Sequence, residues 1–175
     1  MATLTLAYVV IPTFTSGLNT LSHILSVAEA HAKANGLDAD AEYPSASLTE
    51  DMRPLSFQVQ NATSTVRRTL ARLTGTPEPV WEDKEVTLAD LRARIAKAHA
   101  LLKEADAAAV NARAEQTVDL PLGPTAVIKL SAQDSALKQG IPNFFFHLQT
   151  AYAILRLKGV PIGKKDYITS FLEVV

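Results

Sequence analysis

The chain has 175 residues, 47% of them apolar and 20% charged, with 17 Lys and Arg against 18 Asp and Glu and no cysteine. That length predicts one domain over 1–175, large enough to bury a core without staples. The even charge balance excludes a net field that would draw nucleic acid or an anionic membrane, and the missing cysteine excludes disulfides, thiolate metal sites, iron–sulfur clusters and a cysteine nucleophile.

The apolar run Leu4 to Ile11 is far shorter than a membrane span, and no basic segment precedes it, so neither a span nor a signal peptide is read. The expected compartment is the cytoplasm, which suits a small unstapled domain. Residues 1–10 read as an extended or irregular lead-in. Pro12 is expected to begin a first helix reaching Asn35, with Phe14, Leu18, Leu21, Ile24, Leu25 and Ala28 as its buried stripe and Gly36 as its stop. His31 continues a flanking line from Ile24 and Val27 at the core edge, whereas His23 points toward the polar side.

Residues 37–53 form a connection rich in Asp, Ser and Pro, with a single helical turn near 37–41; its length suits a loop that covers a pocket mouth. Pro54 opens a second helix with Leu55, Val59, Ala62, Val66, Leu70 and Leu73 on one face and Gly75 at its end. Gln58 and Asn61 lie near that face, and Arg67, Arg68 and Arg72 are placed on the outer, solvated side. A loop over 75–86 carries the lone tryptophan, Trp81. Thr87 and Asp90 then make a capping-box pattern before a third helix to about Ala107, whose apolar line is Leu88, Leu91, Ile95, Ala98 and Leu102, with His99 beside it.

From 115 to 130 the period changes to two. Val118, Leu120 and Leu122 alternate, Gly123-Pro124 turn the chain, and Ala126, Ile128 and Leu130 alternate, which predicts a β-hairpin. Ser131 to Gly140 reads as a linker with one helical turn. Pro142 and Asn143 then mark a helix start, and Gly159 and Pro161 mark its stop. Phe144, Leu148, Ala151 and Leu155 share one face, broadened by Phe145 and Tyr152, with His147 on the same side. In the tail, Tyr167, Phe171 and Leu172 are available to pack on the bundle or on a second subunit.

The segments PNFFFH, TAYAILR and GVPIGKKDY resemble an uncharacterised branch of the DinB-like (YfiT-like) superfamily. AEAHA at 28–32, EDMRPLSFQVQ at 50–60, LARLTG at 70–75 and LADLRARIAKA at 88–98 extend the resemblance over nearly the whole chain. It implies an all-α, DinB-like four-helix bundle with a minor β-hairpin between helices three and four, in which one longer crossing changes the helix order. It also implies a divalent metal, held by a histidine on the second helix and an H-x-x-x-H pair on the last. This sequence departs from that pattern twice: Ala151 stands four residues after His147, and the second helix has no histidine. His147 and His31 are what remain as ligands for zinc or nickel, with Glu50 and Asp51 as acids of unknown placement, and two imidazoles are a weak site. The metal site is therefore read as degenerate, and no cofactor is expected.

His147 reads equally as a core-edge histidine bonded to a neighbour or as a general base lining a pocket. Tyr152 either fills the core or meets a ligand, and Arg156 either pairs with an acid such as Asp166 or binds an anionic or carbonyl group. Gln58 fits an interhelical hydrogen bond or the same pocket. The two glycines and two lysines of GVPIGKKDY lack phosphate-loop spacing and follow a helix, not a strand. The resulting expectation is a small protein binding an apolar or aromatic metabolite between helices through His31, Gln58, His147, Tyr152 and Arg156. The alternatives are a divalent-metal-dependent transferase or hydrolase, with His147 catalytic, and a structural dimerisation module. The expected partners are a small molecule and a second copy of the chain, with neither nucleic acid nor membrane.

Overall fold

The computed structural model describes residues 4–123 and 125–172. Residues 1–3 of the expected lead-in and Pro124 of the expected turn lie outside the described residues. Four long helices form the body: α1 (Leu6–Ala34), α3 (Leu55–Thr74), α4 (Leu88–Glu104) and α7 (Ile141–Leu157). Between them are the short helices α2 (Ala39–Glu42), α5 (Ala107–Ala112) and α6 (Ala132–Asp134), and the strands β1 (Thr117–Leu122) and β2 (Ala126–Ser131). A last helix, α8 (Lys164–Leu172), returns to pack on α1. Among the described residues no helix is long and apolar enough to cross a membrane.

Around the bundle, α1 contacts α4 and α7, and α3 contacts the same two from the other side. Polar contacts fix the directions. Gln58 meets His147 and Thr65 meets Asn143, so α3 and α7 run antiparallel. The amide of Leu88 donates to Asp40 Oδ1 beyond the end of α1, and Asn111 beyond the end of α4 accepts from Ala7 at the start of α1, so α1 and α4 are also antiparallel. Arg94 on α4 meets Thr63 on α3, and further along Leu101 and Glu104 lie beside Leu70 and Thr74, so α3 and α4 run the same way and residues 75–86 must travel back along the bundle to join them. This is the longer crossing that the resemblance implies.

Every residue of the four expected apolar stripes is buried, from Phe14 on α1 to Leu155 on α7. Their centre is an edge-on pair, Phe14 and Phe144, with centroids 5.1 Å apart. The Phe144 ring lies so close to the α1 backbone that a methyl added to Gly17 would fall 2.2 Å from Phe144 Cε1, closer than non-bonded carbons tolerate. Gly36, Gly75 and Gly159 follow α1, α3 and α7 with positive φ, as the expected stops require. The Thr87–Asp90 capping box forms with both reciprocal bonds. The hairpin pairs Val118 with Leu130 and Leu120 with Ile128; Leu120 is buried, and most of β2 is exposed. Tyr167 and Phe171 pack on the bundle itself.

Two expected boundaries are corrected. The first helix starts at Leu6, not Pro12, because Thr5 Oγ1 caps it by accepting from the Tyr8 amide. Pro12 then lies inside the helix on an exposed position, where water can satisfy the carbonyl it leaves free. The helical run that leads into α7 begins ten residues before Pro142, with α6 at Ala132. Ser131 Oγ caps it at 3.0 Å from the Asp134 amide, and the chain stays helical through a widened, π-helical stretch at Ser135–Gly140. Pro142 has no N–H and crowds the carbonyl one turn back, so a wide turn before it is the local accommodation. Gly140 lets this turn touch α3, since a side chain there would fall 2.6 Å from Thr69 Oγ1.

Candidate functional site

His147 lies on the α3–α7 seam, 7% exposed. Its Nδ1 is 2.8 Å from Gln58 Oε1, while Gln58 Nε2 donates to the Arg53 carbonyl at 2.8 Å. Gln58 therefore presents its oxygen, and His147 must be the donor through Nδ1–H. That fixes the tautomer and leaves Nε2 an acceptor, with no protein partner among the described residues. The ring is flanked edge-on by Phe57 at 6.0 Å and Phe146 at 5.3 Å. Phe146 is 58% exposed, and the Arg53 guanidinium lies 4.6 Å over the Phe57 ring. Burial, followed by the positive charge of Arg68, lowers the His147 pKa to about 4. The imidazole is thus neutral through the physiological range.

Of the residues expected at one site, only Gln58 and His147 come together. His31 is seventeen residues beyond Phe14 on α1, a rise of about 25 Å, whereas His147 is one turn from Phe144, Phe14's partner. The His31 ring sits instead beside Asn35, 3.3 Å from its amide nitrogen. Tyr152 packs edge-on against Tyr167 of α8 at 5.6 Å. Arg156 is exposed and donates to the Val160 carbonyl at 3.2 Å, so it caps its own helix end. Asp166 is taken by His23, 2.9 Å away. His99 is half-buried, and burial lowers its pKa.

The donors around His147 do not fit the divalent metal that the resemblance implies. Its Nδ1 is committed to Gln58, the i+4 position is the buried methyl of Ala151, and the nearby charge is the cation Arg68. Among the described residues no three His, Asp or Glu side chains converge as ligands. A structural or catalytic zinc needs at least three such donors.

A second polar centre was not read from the sequence. Arg94 of α4 is 2% exposed and satisfied on every side. Its Nε donates to Thr63 Oγ1 at 2.9 Å, Nη1 to the Glu82 carbonyl and to Glu85 Oε1, both at 2.9 Å, and Nη2 to Ser64 Oγ at 2.8 Å. Asp83 lies 2.7 Å from Nη2 and the Trp81 ring 5.3 Å from Cζ. Arg67 also departs from its expected outer position: it is buried, pairs with Glu78 at 2.9 Å, donates to the Pro79 carbonyl and lies 5.4 Å from the Trp81 ring. These two arginines pin the returning crossing to the bundle. The available signal was Arg94 itself, a charge between Leu91 and Ile95 on the apolar line.

Comparison with known proteins agrees with the fold and is silent on chemistry. A family model described as a domain of unknown function, DUF1993, matches residues 6–168. A crystal structure of a DinB family member protein from Shewanella denitrificans is similar with a TM-score of 0.84 and 36% sequence identity, over 93% of this chain and 91% of that one. No curated protein matches the chain. With nearly the whole chain matched and its helix order that of the DinB-like bundle, this protein belongs to the DUF1993 family.

Proposed function

We propose that the protein is a metal-independent, small-molecule-binding member of its superfamily, and that the ligand meets the α3–α7 seam at His147. The observation that carries this reading is the fixed tautomer: Gln58 holds Nδ1–H, so Nε2 is left as an acceptor without a partner among the described residues, on a ring flanked by two aromatic side chains. The matching ligand is an aromatic ring bearing a hydroxyl or N–H. Its face or edge would rest on Phe57 and the exposed Phe146, and its donor would reach Nε2. The low pKa supports the reading, because the acceptor persists wherever the ring stays neutral. The superfamily's metal chemistry has no comparable support here, since among the described residues no three ligating side chains converge.

Phenol and toluene are the discriminating probes, followed by NMR of protein carrying 15N-labelled histidine. Phenol is expected to move the His147 Nε2 resonance saturably, together with the Phe57 and Phe146 ring signals. Toluene is expected to move the rings alone. A His147 ring protonated at Nε2 in the free protein, or a phenol titration that leaves that ring untouched, contradicts the reading.

A further inference from the structure

Two clefts meet along the outer side of α3. One, of about 390 Å³, is lined by Arg68, Arg72, Gly75, Glu78, Arg113 and Asp119, among others. The second, of about 220 Å³, is lined by Asn61, Thr65, Arg68, Arg72, Gln139 and Asn143, with Leu120. Arg68, Arg72 and Pro121 belong to both, so the two form one groove between α3, the hairpin and the wide turn that leads into α7.

Three guanidiniums face this groove, and none has a carboxylate partner among the described residues. Arg68 makes one long bond, 3.5 Å to Asn61 Oδ1. Arg113 lies flat against Gly75, where an added side chain would come within 2.5 Å of its Cζ, and its Nε is buried without an acceptor. The two acids on the rim are already engaged: Glu78 with Arg67 at 2.9 Å, and Asp119 with Lys129 at 2.8 Å. The three arginine side chains are half-buried, and charges drawn out of water are ordinarily paired. Here burial, with Arg68 adjacent, lowers the pKa of Arg72, and the charge of Glu78, already paired with Arg67, offsets this only in part.

We propose that this groove binds the phosphate of a small phosphomonoester. A dianion with three acceptor oxygens can engage several guanidinium forks at once, whereas a single carboxylate would occupy one arginine and leave two opposed. The amides of Asn61, Gln139 and Asn143 line the other end of the groove, where the polar body of such a molecule would lie. The site is independent of the seam at His147, which Arg68 reaches only as a nearby charge.

The test is a titration with phenyl phosphate at physiological ionic strength, read by the arginine Nε–H resonances. Inorganic phosphate, benzoate and a short single-stranded oligonucleotide serve as comparisons. Phenyl phosphate is expected to bind saturably and shift Arg72 and Arg113, with inorganic phosphate shifting the same groups more weakly and benzoate neither. Arg72→Gln and Arg113→Gln are each expected to weaken binding about tenfold, and Arg92→Gln, on α4, to leave it unchanged. Gly75→Asn keeps a residue that tolerates positive φ but fills the seat of Arg113, so it should weaken binding as well. An equal response to benzoate, a response unchanged in Arg72→Gln, or binding of the oligonucleotide alone would overturn the proposal.

Discussion

Replacing Arg94 with methionine is expected to destabilise the protein by about 3 kcal/mol or more, as removing one partner from a buried ionic network does. The change removes the cation paired with Glu85, leaving it only Gln60, takes the donor from the hydroxyls of Thr63 and Ser64, and frees the crossing at Glu82 and Asp83. Glu85 shows the balance in the intact protein. Burial raises its pKa, yet hydrogen bonds from Arg94, its own backbone and Gln60 together hold it below the usual carboxylate range. Arg92→Met is the internal control, because the Arg92–Glu29 pair is far more exposed than Arg94, at 30% and 55% against 2%, and pairs open to solvent contribute about 0–1 kcal/mol. Urea unfolding of both variants checks the contrast, with hydrogen exchange across residues 75–86 reporting release of the crossing. Equal midpoints for the two variants would mean that Arg94 does not anchor it.

Stability is expected to fall in mild acid because of His147. Its pKa is 6.5 when unperturbed and about 4 in the fold. Below pH 6.5 the unfolded chain takes up a proton that the folded chain refuses, so stability is full above that point and is lost progressively toward pH 4. A shift of that size corresponds to about 3 kcal/mol between the two limits. His99, whose pKa burial also lowers, adds to the loss in the same window. The depressed carboxyls of Glu85, Asp90 and Asp166 act lower still, as pH falls through the carboxylate range. Comparing the parent with His147→Gln therefore isolates the one residue: the parent curve should bend between pH 6.5 and 4 more steeply than the variant's. Parallel curves would show that the ring is not desolvated in the folded state.

Periodicity carried most of the fold. The stripes on α1, α3, α4 and α7 are single-face patterns whose members all reach the core, and glycine stops and a capping box act within one turn of chain, so they are legible locally. The two misplaced boundaries share one cause. Proline reads locally as a helix start, although an exposed position at Pro12 and a widened turn before Pro142 let the helix run through it. At the candidate site, His147 and Gln58 were each named from the sequence, but the 2.8 Å bond between them depends on α3 and α7 lying antiparallel. His31, Tyr152 and Arg156 were grouped with His147 because they share its helix or lie at the core edge. Distance along α1, packing against α8 and capping of the α7 terminus separate them. Arg94 was missed because nothing local announces the returning crossing; its partners in residues 82–85 meet it only once that segment lies along α3 and α4.

The proposed function rests on His147 being a neutral hydrogen-bonding group and not a metal ligand. The most direct measurement is elemental analysis of untagged protein purified without chelator, repeated after incubation with zinc, nickel, manganese and iron, alongside His147→Gln. The expected result is no stoichiometric metal in either protein. Near-stoichiometric metal in the parent that disappears in His147→Gln would contradict the account and restore metal-assisted chemistry to this seam.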